Sequence, residues 1–224
     1  MTLNQRHSFW GSLSPLGGLT GASLLILGSG RLSWAILVAG SLFWVYALSS
    51  LTCVFLLSAT EKKLLPVKGR MAFYVCLASF WGSLYLFMLW MLCPFAALEV
   101  FLLLLLVPLF YAGSGIVEQL SSVPENSNFD ISESVSDSVS KAGVLSGLMI
   151  LISIIREPLS YCTLSFPGTY QGMITFMYLR EGFFLPIRIF ASSVGAFMLL
   201  GYIIYLYNYT KNFIFPTDDA GDDK

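Results

Sequence analysis

One adjacent pair of opposite charges, Arg156 and Glu157, stands at the end of the apolar run Ala142 to Ile155. An ionised side chain at membrane depth is expensive and marks a functional position by default, so the pair is a candidate for an ion path. It is equally a candidate structural fixture, because an arginine near a helix C-terminus complements the helix dipole. Successive residues on a helix do not face each other, so the two need not form a mutual salt bridge. A second candidate is a pair of interrupted apolar segments, SPLGGLTGASLLILGSG and LLLLLVPLFYAGSGIVE. Both are broken by Pro or Gly, and two longer uninterrupted stretches separate them. Interrupted helices at corresponding positions of two halves free backbone groups to meet an ion or cofactor at the membrane midplane. The other reading of Gly17, Gly18, Gly21, Gly113 and Gly115 is close helix packing.

Other chemistries find no support in the residue pattern. No Walker loop, GxGxxG, GxSxG or HExxH motif occurs. His7, the only histidine, precedes the first apolar segment, which excludes histidine-based catalysis inside a membrane. Cys53, Cys76, Cys93 and Cys162 form no CxxC pair and read as small apolar helix residues. A formal charge of −1 with no basic run lacks the electrostatic footprint of a nucleic-acid binder. No catalytic residue and no metal ligand is assigned.

The elements that must position these residues follow from composition. Apolar residues make up 56% of the 224 and charged residues 11%, against roughly a quarter charged in soluble domains, and mean hydropathy is +0.76. A bilayer is the implied solvent. Charges bracket the apolar windows Leu32 to Thr60, Met71 to Leu98, Val100 to Val117 and Ile189 to Thr210, each long enough to cross. Pro15 to Gly30 and Ala142 to Ile155 are shorter. The latter rises about 21 Å against a hydrocarbon core of roughly 30 Å, so it must draw in Lys141, Arg156 or both. The expectation is one all-α polytopic membrane domain over residues 1–224, with about six transmembrane helices. A 3+3 inverted repeat is expected, with the first and fourth helices broken. The Lys and Arg cluster in EKKLLPVKGR puts both termini in the cytoplasm, and Trp34, Trp44, Trp81 and Trp90 are expected at the lipid-facing surface and interface.

Three further stretches complete the organisation. Residues 121–140, serine-rich and acidic, predict a mobile cytoplasmic loop, and 212–224 an acidic tail. Residues 157–185, broken by Pro158, Pro167, Gly168 and Gly172, predict an extracytoplasmic loop, partly re-entrant and shielded from lipid.

Four segments together resemble the six-helix membrane subunits of the Rnf and Nqr redox-driven ion pumps, closest to the RnfE and NqrD type. LISIIREPLSYCTLSFPG resembles that family's fifth helix, LVPLFYAGSGIVEQL its broken fourth, KGRMAFYVCLAS the start of its third and LTGASLLILGSG its broken first. The resemblance implies an inner-membrane subunit that couples electron flow to Na⁺ or H⁺ movement beside a homologous membrane subunit and other redox subunits, and is not catalytic alone. It also implies a [2Fe-2S] cluster held by one cysteine from the first helix and one from the fourth of each subunit. This chain departs there. The fourth-helix position falls at Ser114 and the first-helix position near Ala22 or Ser23, and no cysteine precedes Cys53 or lies between Cys93 and Cys162. The cluster's ligands are therefore missing, and no cofactor is expected in this chain. Two alternatives remain: a small secondary transporter with a midplane solute site between the broken helices, or a scaffold subunit of another membrane complex.

Overall fold

The computed structural model describes residues 15–59, 67–114, 131–168, 173–178 and 188–214. Their elements are helices α1 (Pro15–Gly28), α2 (Leu32–Ala59), α3 (Val67–Leu92), α4 (Pro94–Gly113) and α5 (Ile131–Tyr161), strands β1 (Thr163–Pro167) and β2 (Met173–Tyr178), a 3₁₀ turn (Arg188–Ala191), and helix α6 (Ser193–Ile214). Among the described residues, α2, α3, α4 and α5 each contain a stretch long and apolar enough to cross a membrane. The apolar parts of α1 and α6 are shorter. At 14 residues, α1 rises only about 21 Å.

Helix α2 is the hub. It packs most extensively on α5 and also touches α1, α3, α4 and β1. The core along it joins Leu42, Val45 and Tyr46 to Val107, Phe110 and Tyr111 of α4 and to Leu145, Met149 and Ile152 of α5. On α5 the buried positions Ser138, Ala142, Leu145, Met149, Ile152 and Arg156 recur every three or four residues, which gives one face of a helix to α2. Helices α3 and α4 form a hairpin in which Gly82 lies against Pro108. In α3 only 11% of the membrane-length stretch is buried, against 56% in α2 and in α4, so α3 is peripheral.

Several expectations change. The break between the third and fourth segments falls at Cys93, with Pro94 opening α4, and not at Leu98–Glu99. Proline suits the first helical turn, where its missing N–H is no loss. Glu99 lies inside α4 and accepts a hydrogen bond from the Trp34 indole N–H at 3.0 Å. The chain is mostly helical, as an all-α membrane protein should be, with a small two-stranded hairpin; within 157–185 the described residues 157–168 and 173–178 form the end of α5 and the two strands, not one irregular loop. Helix α5 continues through Pro158 to Tyr161, and β1 pairs antiparallel with β2. Residues 131–140 are helical, not a loop; residues 121–130 lie outside the described residues. In the expected acidic tail, 212–214 belong to α6 and 215–224 lie outside the described residues. Of these four tryptophans Trp90 is exposed, and Trp34, Trp44 and Trp81 are half-buried. Trp81 donates to Thr52 Oγ1 at 3.3 Å, so two of the four indoles tie helices together.

Candidate functional site

Arg156 and Glu157 sit two turns or less from the end of α5, both buried. Successive helical residues point about 100° apart, and the two side chains serve different helices. The Arg156 guanidinium donates from Nη1 to the Ile26 carbonyl at 2.8 Å and to Ser29 Oγ at 3.1 Å. Its Nε donates to the Phe190 carbonyl at 2.7 Å, and Nη2 to the carbonyls of Ala191 at 3.0 Å and Ser192 at 3.1 Å. A guanidinium has five N–H donors, so all are used and none remains for Glu157. The Ile26 carbonyl belongs to the last turn of α1, where helix geometry leaves acceptors without partners. A cation there also meets the negative end of the helix dipole.

Glu157 does the complementary work at the next helix. Its Oε2 accepts the backbone N–H of Leu32, the first residue of α2, at 2.7 Å. That N–H is one of the donors a helix start leaves open, and a carboxylate suits its positive end. Arg156 thus caps the end of α1 and Glu157 the start of α2, pinning the turn at Ser29, Gly30 and Arg31 from both sides. Arg156 also fastens the 3₁₀ turn ahead of α6 to the same point. Below them, Ser160 Oγ donates to the carbonyls of Arg156 at 2.7 Å and Glu157 at 3.3 Å.

A cavity of about 280 Å³ with both polar and apolar lining opens beside this joint. Arg31 and Glu157 line it, with Tyr161 from the end of α5, Thr163 and Ser165 from β1, and Met173, Thr175 and Tyr178 from β2. Cys162 links α5 to β1 with φ 52°, the left-handed region that costs a non-glycine residue about 1 kcal/mol or more. This reversal, closed by the Cys162 N–H donating to the Pro158 carbonyl at 3.0 Å, brings the hairpin back beside Glu157. Ser165 Oγ donates to Ser33 Oγ at 3.3 Å and ties β1 to α2. The Arg31 side chain lies 5.7 Å from the Trp34 ring centroid and 5.4 Å from that of Tyr161, and its Nη1 donates to Met173 Sδ at 2.8 Å. The sequence marked Arg31 only as a span boundary. The cavity's hydroxyls were legible as residues but not as a wall, because their convergence depends on the hairpin.

The first and fourth segments, expected to be broken, are each continuous in the described residues, α1 over Pro15–Gly28 and α4 through Pro108 to Gly113, and the two meet. A Cβ on Gly21 would lie 2.8 Å from the Phe110 ring, so α1 approaches α4 where it lacks a side chain. Gly113 is buried at the end of α4, and Gly115 lies outside the described residues. Ser114 is buried and donates its hydroxyl to the Tyr111 carbonyl at 2.7 Å. Ser23 donates to the Thr20 carbonyl at 2.8 Å, and Ala22 is half-buried. The buried Tyr46 hydroxyl lies beside Ser114, and the buried Tyr111 hydroxyl lies beside Ser50 and Cys53. Cys53 and Cys162 are buried, Cys93 caps α4 and Cys76 is exposed. Among the described residues no three His, Cys, Asp or Glu side chains gather as a metal site. Clusters are held by thiolates, and Ala22, Ser23 and Ser114 offer none. No electron-transfer step is assigned to this chain.

No family model, no curated protein and no solved structure matches the chain.

Proposed function

We propose that the chain is a six-span inner-membrane subunit of an Rnf/Nqr-like complex, with both termini cytoplasmic, coupling redox flow in its partners to Na⁺ or H⁺ movement. One observation carries this reading: three of the four segments that resemble that family pack on one another. The REPLSY segment of α5 holds the end of α1 through Arg156, and α1 meets the fourth-helix segment at Gly21 and Phe110. The buried hydroxyls of Tyr46, Ser50, Tyr111 and Ser114 lie beside that second contact, the Tyr46 ring against Phe110 and Tyr111, and supply polar groups at membrane depth. In this reading Arg156 and Glu157 hold the helices in place and are not themselves the ion path. Deleting the gene should abolish redox-driven ion uptake into inverted membrane vesicles, and plasmid-borne wild-type chain should restore it. Uptake unchanged by the deletion would refute the reading.

The cavity beside the α1–α2 joint favours a second reading, a small secondary transporter. Solute uptake by proteoliposomes holding this chain alone would select it.

A further inference from the structure

We propose that the cavity beside the α1–α2 joint binds a small zwitterion, a molecule carrying an ammonium and an anionic group a few ångström apart. This goes beyond complex membership and does not depend on it.

The argument starts from two opposite charges on one cavity wall that do not spend themselves on each other. Arg31 and Glu157 both line the 280 Å³ space. Of Arg31's five N–H donors, one is engaged, and its acceptor is the thioether of Met173, a weak acceptor. The rings of Trp34 and Tyr161 flank the guanidinium and fix its direction while leaving its other N–H donors unused. On Glu157, Oε2 is taken by the Leu32 N–H. A carboxylate accepts at about four lone-pair sites, so most of its capacity remains. Among the described residues no carboxylate pairs with Arg31 and no cation with Glu157: Arg156, the neighbour in sequence, has all five donors committed elsewhere.

The two charges select the ligand class. A simple anion would meet Arg31 but be repelled by Glu157, and a simple cation would meet the reverse. A zwitterion satisfies both, its anionic group on the Arg31 fork and its ammonium on Glu157. Hydroxyls complete the lining. Tyr178 donates to Thr175 Oγ1 at 3.1 Å, which leaves the Thr175 hydroxyl proton to donate in turn. The volume lies just under the range of drug-sized sites, roughly 300–1,000 Å³, and suits a free amino acid or the headgroup of phosphatidylethanolamine.

The test uses the purified full chain. In mild detergent, calorimetry with a panel of α-amino acids is compared with matched amines and carboxylates that carry one charge. In a second arm, native mass spectrometry follows lipid retention from nanodiscs of phosphatidylethanolamine against nanodiscs of phosphatidylglycerol. We expect saturable binding of a zwitterion in one arm, about tenfold or more weaker for single-charge analogues or the anionic lipid, and lost in Arg31→Gln. The arm that responds identifies the source. Thr175→Val, outside the helix caps, should weaken binding several-fold while leaving the melting temperature unchanged, which separates a site effect from misfolding. Absence of saturable binding in both arms up to about 10 mM, well above a millimolar Kd, overturns the proposal. So does equal binding of single-charge analogues, or undiminished binding by a folded Arg31→Gln variant.

Discussion

Arg156 places a full charge among buried groups, and its cost is offset only because every donor finds an oxygen. The planar fork matters as much as the charge, since it reaches α1 and the 3₁₀ turn at once. Arg156→Lys keeps the charge but has a compact ammonium in place of that fork. It should lower unfolding free energy by ~3 kcal/mol, read by denaturant titration in detergent micelles. Wild-type stability in the lysine variant would show that charge alone suffices. Glu157 predicts a graded series. Glu157→Gln retains an acceptor for the Leu32 N–H and loses only the charge at the helix start, costing ~0.5–1 kcal/mol. Glu157→Ala leaves that N–H without its acceptor and costs ~2 kcal/mol. Equal losses in the two variants would contradict capping. The sequence made this pair conspicuous and allowed that it need not be a mutual salt bridge. Its partners were not legible, because Ile26 and Leu32 lie more than a hundred residues away and only the fold brings them there.

At the scale of elements, charge and hydropathy located helices well and their ends less well. Arg31 does stand at a turn, and the Ala142–Ile155 segment does extend to take in both Lys141 and Arg156, as its short rise required. Glu99 misled because a charge near one end of the bundle can sit inside a helix when it is exposed and bonded to Trp34. Pro158 misled because the helix runs through it: α5 continues three residues further to Tyr161 although Pro158 has no N–H to offer the Ile154 carbonyl. The hairpin was hidden by glycines and prolines that read as irregular backbone, yet β1 and β2 pair through a register shift between Leu164 and Ser165. The contact between α1 and α4 can be tested directly. Gly21→Ala drives a methyl group against the Phe110 ring and should destabilise by ~1–2 kcal/mol, with Phe110→Leu recovering part of that loss in the double variant. Additive losses in the thermal melts would show that α1 and α4 are not packed there.

For the whole molecule, the described residues form a helical bundle with one polar end, where α1, α2, α5, the hairpin and the 3₁₀ turn meet. The α3–α4 hairpin presents Phe80, Phe87, Trp90, Met91, Phe95 and Leu98 outward, a face suited to lipid or to a second membrane subunit. The proposed complex calls for such a subunit, and Ala22, Ser23 and Ser114 offer no thiolate to hold a cluster. The decisive measurement is a mild-detergent pull-down of the tagged full chain, with partners identified by mass spectrometry and iron and flavin assayed in the eluate. A complex containing flavin and iron–sulfur subunits is the predicted result. A chain that elutes alone, in a detergent shown to preserve known membrane complexes, would contradict it and leave the transporter reading in its place.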